Sequence, residues 1–183
     1  ARSLLAVAHW SLAGFAEGKE ATSCKPFASD RSGFVLGEGA AFMVLESADR
    51  ANARHARTYA QLSGWGTSCD ATHLTKPDAA GQQRAIVQAL KRAGLQPADV
   101  GYCNAHGTAT KAGDLVETAA LAGVWGSDLQ ALRVSSTKAL HGHLLGGAGA
   151  LEAVITALAL ATGQLPPNAH CSSPDTACTL NLV

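Results

Sequence analysis

A layered α/β fold is predicted by three observations. A buried strand, a polar loop with a histidine and an apolar helix follow one another twice, once from Val100 and again from Leu132. Alanine and glycine are abundant while aromatic residues make up only 5%, a mixture that suits helices packed closely on a sheet. The chain of 183 residues is long enough to bury one core, or to form half of a larger two-part fold.

Residues 1 to about 16 have helical spacing, with Leu4, Leu5, Ala8 and Leu12 on one side. A turn-rich loop from Cys24 then leads to the apolar run Ala40 to Leu45, and Asp30, Arg31 and Glu38 are expected to pin it as an ion-pair cluster. A short helix follows over Ala48 to Ala56, and the alternation of Tyr59 to Thr67 reads as a strand. The loop after it offers His73 and Thr75 as candidate substrate contacts. Gly81 to Ala93 is an amphipathic helix with Lys91 and Arg92 in its last turn, stopped by Gly94. Val100 to Ala105 is the next strand and Gly113 to Val124 the next helix. Leu132, Val134 and Ser135 to Ser136 form a short buried strand. Lys138 and His143 lie in the connecting loop, and Ala148 to Ala161 returns as a core helix. The chain closes on a strand in C-T-L-N-L-V.

A first residue inside a helix and a last one inside a strand lead us to expect a longer protein around this chain. The opening A-R-S-L-L-A-V-A-H-W lacks the long apolar stretch of a secretory signal. Leu144 to Ala161 is apolar enough to suggest a membrane span, but Glu152 and several small residues favour a buried helix. Fourteen basic and fourteen acidic side chains cancel, which excludes an overall basic field for nucleic acid or an anionic membrane. Five cysteines, without C-x-x-C spacing, read as reduced thiols of a cytoplasmic protein.

His106 and His143 occupy equivalent places, each after a strand and before a helix, and two such loops meet at one sheet edge. Lys138 belongs to the same constellation, with Asp114 and Glu117 spaced i, i+3 at the start of a helix. Zinc hydrolysis is disfavoured because no H-E-x-x-H spacing occurs. Thiol catalysis is disfavoured because no cysteine sits at a strand-to-helix turn. Two neutral imidazoles donating N–H to a developing oxyanion fit best, and a nearby Lys138 would help keep them neutral.

The motifs N-A-H-G-T-A-T-K-A-G-D-x-x-E, S-S-T-K-A-x-x-G-H-L-L-G-G-A-G-A-x-E and K-P-F-x-x-x-R-x-G-F-V-L-G-E-G-A together resemble the β-ketoacyl-acyl carrier protein synthases, nearest to discrete fatty-acid and type II polyketide ketosynthases. The resemblance implies a thiolase-like α/β/α/β/α sandwich, here mainly its C-terminal half. Residues 1–55 would end the N-terminal half and 56–183 form the C-terminal domain, truncated before a closing G-F-G-G-T segment. It implies decarboxylative Claisen condensation of an acyl thioester with malonyl-acyl carrier protein. His106 and His143 would be the catalytic imidazoles, Lys138 the lysine that supports their site and Glu117 the carboxylate that orients it; Asp114, one turn before Glu117, is expected in support. Thr108 and Thr110 would line the pantetheine tunnel, and His73 and Thr75 would belong to the polar, substrate-binding loop near its mouth.

The acyl-accepting cysteine of the family lies ahead of this chain, so none of the five cysteines takes that role. The resemblance implies no metal and no cofactor beyond the carrier's phosphopantetheine. It further implies acyl carrier protein as partner, a homodimer or a ketosynthase-like heterodimer, no nucleic acid, no membrane and a cytoplasmic location. Ala28 and Ser32 depart from the acids common in the first-occurring motif, and His141 stands where threonine is usual. The rival expectation is a non-catalytic module that binds carrier protein or a partner subunit without turnover.

Overall fold

A computed structural model describes residues 22–73 and 75–183. The helix expected over residues 1 to 16 lies outside the described residues. The architecture is α/β, and its centre is a parallel sheet of β1 (Tyr102–Asn104), β2 (Arg133–Ser135) and β3 (Asn181–Leu182), in that spatial order. Cys103 pairs with Val134, and Val134 with Leu182, so the register runs straight across the three strands.

Around the sheet lie α1 (Ala48–Ala53), α2 (Ala79–Ala93), α3 (Lys111–Trp125), the single-turn α4 (Lys138–His141) and α5 (Ala148–Thr162). Parallel neighbours need crossovers: α3 joins β1 to β2, and α5 lies between β2 and β3. Two of the long helices have a local reason to start or stop. Asp78 accepts the Gly81 N–H at the start of α2, and Gly94 ends that helix in the left-handed conformation. Thr110 accepts the Gly113 N–H at the start of α3. The core gathers Leu121, Trp125 and Leu129 against Val134, Leu132, Ala105, Phe27 and Cys178.

Several expectations are corrected. Tyr59 to Thr67 forms no strand, because no ladder partner stands beside it among the described residues. Its backbone instead runs tightly along α2: a Cβ on Gly64 would stand 2.2 Å from the Ala89 carbonyl oxygen, and one on Gly66 1.9 Å from that of Ala85. The short helix expected to reach Ala56 stops at Ala53, just before His55 takes a positive φ of 51°. The expected Asp30–Arg31–Glu38 cluster does not form. Asp30 pairs with Lys25, while Arg31 turns inward to Asp114 and Asp175. Lys138 is not on an open loop but opens α4, fully buried. The expected core helix, α5, buries only Ala148 and Ala159, and Leu160 is 70% exposed. Leu145–Thr162, mean hydropathy 1.6, is long and apolar enough to cross a membrane by length and composition. Glu152 within it pairs with the buried Lys138.

Candidate active site

The loops that follow β1 and β2 converge. The rings of His106 and His143 stand edge to face at 86°, centroids 5.3 Å apart, and Phe34 packs edge-on against His143 at 5.5 Å.

The His106 loop is held by two carboxylates of α3. Glu117 accepts the His106 N–H and the Gly107 N–H, both at 2.7 Å, one on each oxygen. Asp114 accepts the Ala109 N–H at 3.1 Å and the Phe27 N–H at 2.8 Å. Ala109 and Phe27 both have positive φ, 64° and 62°, a conformation costing roughly 1–2 kcal/mol in a residue with a Cβ. Charge-assisted hydrogen bonds to a buried carboxylate offset that cost. Burial pushes the Asp114 carboxyl up, to about 7, against the lowering effect of the Phe27 N–H and Arg31. Burial likewise raises Glu117, against the Gly107 and His106 N–H groups.

His143 is aimed from both sides. Its N–H donates to the Val35 carbonyl at 2.7 Å, and its carbonyl accepts the Gly37 N–H at 3.1 Å. The Leu145 N–H donates to Nδ1 at 3.1 Å, from a residue at φ 53°. With Nδ1 accepting, the neutral ring carries its proton on Nε2. The pKa of His143 falls to about 4, through burial first, then the charges of Lys138 and His141. His106 also falls to about 4, through burial, Lys138 and His143. Both imidazoles are therefore neutral donors at physiological pH.

Lys138 is fully buried and its Nζ pairs with Glu152. Glu152 was missed as a partner by sequence reasoning, although it closes the G-A-G-A-x-E motif on the next helix. Asn104 was missed as well; it donates to the Glu152 carbonyl and to Thr156 Oγ1, both at 3.3 Å, and so ties β1 to α5.

A cavity of about 570 Å³ opens over His106 and Glu117, and Thr108, Thr110, His73 and Thr75 line it. Thr108 and Thr110 share a hydroxyl hydrogen bond at 2.9 Å. The Thr75 N–H donates to His73 Nδ1 at 3.3 Å. Another part of the lining, residues 68–73 and 75–77, is fastened to α2 by Ser68 Oγ donating to the Gly81 carbonyl and Arg84 to that of Cys69. His143 and Lys138 are not among the residues lining this cavity.

Burial raises the thiols of Cys24, Cys103 (to about 12), Cys171 and Cys178, the reverse of what an activated nucleophile needs. Among the described residues no group of three or more histidines, cysteines and carboxylates could hold a metal ion. The arrangement can bind an acyl-type oxygen between two neutral N–H donors and stabilise negative charge that develops there.

The β-ketoacyl synthase C-terminal domain family matches residues 59–172, and the β-ketoacyl synthase N-terminal domain family matches residues 3–51. The 3-oxoacyl-[acyl-carrier-protein] synthase 2 of Staphylococcus aureus is 42% identical over 186 residues, which cover 97% of this chain and 46% of that protein. The chain thus spans about half the length of the curated relatives it matches. The ishigamide ketosynthase/chain length factor superposes with a TM-score of 0.90 at 38% identity, over 100% of this chain and 43% of that one. A type II polyketide acyl-carrier protein in complex with its ketosynthase bound to the hexaketide gives 0.91 at 32% identity, over 97% and 45%.

Proposed function

Because the chain belongs to the β-ketoacyl synthase family, we propose that it supplies the decarboxylating part of a condensing enzyme with the thiolase-like layered fold. The substrate is a malonyl thioester on acyl carrier protein, its thioester oxygen held by His106 and His143. The bond to the terminal carboxylate breaks, carbon dioxide leaves, and the electron pair moves onto the thioester oxygen as an enolate. That pair then returns to form a carbon–carbon bond with an acyl thioester on a cysteine outside this chain. The cysteine sulfur departs, leaving a 3-oxoacyl-carrier protein. The reaction serves fatty-acid or polyketide elongation and calls for no cofactor other than the phosphopantetheine that carries the substrates.

The observation that carries this reading is the pair of imidazoles 5.3 Å apart, both held neutral. Lys138 is assigned the task of keeping them so, and Glu117 and Asp114 that of holding the His106 loop. Thr108, Thr110, His73 and Thr75 are assigned to the pantetheine arm, a reading supported by their common cavity. Acyl carrier protein as partner is supported by the ketosynthase–carrier complex, and a homodimer or a ketosynthase-like heterodimer by the ketosynthase/chain length factor. A cytoplasmic location accords with such chemistry. A domain boundary near residue 55 is supported by one family match ending at 51 and the next starting at 59.

The test is to incubate the full-length protein with an acyl thioester and malonyl-carrier protein and follow the carrier by mass spectrometry. A 3-oxoacyl-carrier product is expected; carrier binding without product would overturn the reading and favour a binding module.

A further inference from the structure

His141, where threonine is usual in the resembling motif, bridges two neighbours that no threonine could reach together. Its Nδ1 lies 2.7 Å from the Gly142 carbonyl oxygen and its Nε2 3.0 Å from Thr137 Oγ1. A carbonyl oxygen only accepts, so Nδ1 carries the proton, and in the neutral ring Nε2 accepts the Thr137 hydroxyl. Gly142 stands at φ 72° and ψ −178°, outside helix and strand, and a Cβ there would come 2.8 Å from the Gly37 nitrogen. The peptide joining Gly142 to His143 is thereby held at both ends, its oxygen by His141 and its N–H by the Val35 carbonyl at 2.7 Å. That peptide sets the line along which the His143 side chain leaves the backbone, and hence its approach to His106.

We propose that His141 is a positioning residue for His143, acting through the hydrogen bond from its Nδ1 to the Gly142 carbonyl. The proposal rests on the reading of His143 as an oxyanion donor. A misplaced donor weakens the transition state more than it weakens binding, so the loss falls on kcat and leaves KM nearly unchanged.

Three variants of the full-length protein separate the two ring contacts. In His141→Asn the side-chain amide takes the place of Nδ1 and still donates to Gly142; in His141→Gln it reaches instead toward Thr137; His141→Ala has neither. His141→Asn is expected within about twofold of the parent in kcat for carbon dioxide release, and the other two about tenfold down, the equivalent of one lost hydrogen bond. Imidazole nitrogen resonances of His143 give a readout independent of turnover. They should report a single Nε2–H tautomer in the parent and the Asn variant, and averaged tautomers in the Gln and Ala variants. Unchanged His143 resonances and kcat in His141→Ala, or an Asn variant as impaired as Ala, would overturn the proposal. A parent protein that released no carbon dioxide would reject the functional reading, while the resonances would still decide for or against the clamp.

Discussion

His106 and His143 meet edge to face, 5.3 Å between ring centroids, although one follows β1 and the other β2. Each ring sits where burial and the charge of Lys138 oppose protonation. A nitrogen-detected titration should therefore give both an apparent pKa near 4 in place of the usual 6.5, and neither should gain a proton between pH 8 and about pH 5. The consequence for stability has a definite sign. Between 6.5 and about 4 the unfolded chain binds a proton at His143 that the folded chain refuses, so this group's contribution is present above 6.5 and is lost as pH falls. The stability difference between the parent and His143→Gln should shift against the parent across that window; a shift in its favour would contradict the assignment.

Lys138 separates charge control from simple support. After burial it is the next cause lowering both imidazoles, so Lys138→Met should raise both pKa values toward 6.5 and add an acid limb to the rate profile below about pH 6. The same change strips Glu152 of its partner at a site only 15% exposed, with a cost of about 3 kcal/mol in urea unfolding. Adding Glu152→Gln should restore most of the stability while leaving the acid limb in place.

Glu117 uses one oxygen for each of two neighbouring N–H groups. In Glu117→Gln one of these oxygens becomes an NH2 that faces a donor, so one N–H loses its acceptor and meets a like group. A fall of at least tenfold in carbon dioxide release is expected, with a loss of about 1–3 kcal/mol in unfolding free energy. Unchanged release would remove Glu117 from the site.

Arg31 is 2% exposed and gathers distant segments, donating to the Ala28 and Lys111 carbonyls and pairing with Asp114 and Asp175. Replacing it by Met leaves the buried Asp114 without its counter-charge, and a loss of about 3–5 kcal/mol is expected in urea unfolding. Asp114→Asn in the Met background should then cost much less than the same change in the parent, a coupling read from the double-mutant cycle.

Elements with a local cause were readable from the sequence. Gly94 stops α2 whatever the rest of the chain does, and the strand–loop–helix order placed both histidines correctly relative to β1 and β2. Tyr59 to Thr67 misled because alternation reports a two-sided environment, not the presence of a partner strand. The loop charges misled because Arg31 finds Asp175 across 144 residues, a contact that no local spacing encodes. Burial of Lys138 runs against the ordinary exposure of lysine and depends on Glu152 arriving from the next helix. The tautomer of His143 hangs on a backbone N–H of Leu145 in a left-handed conformation, which no side-chain pattern announces.

The most direct test of the central claim is release of labelled carbon dioxide from malonyl-carrier protein by the full-length protein with His106→Ala or His143→Ala. On the proposed mechanism each change deletes one of two N–H donors to the developing enolate, and a loss of at least about 100-fold is expected in each variant. Release within a fewfold of the parent in either variant would contradict the account.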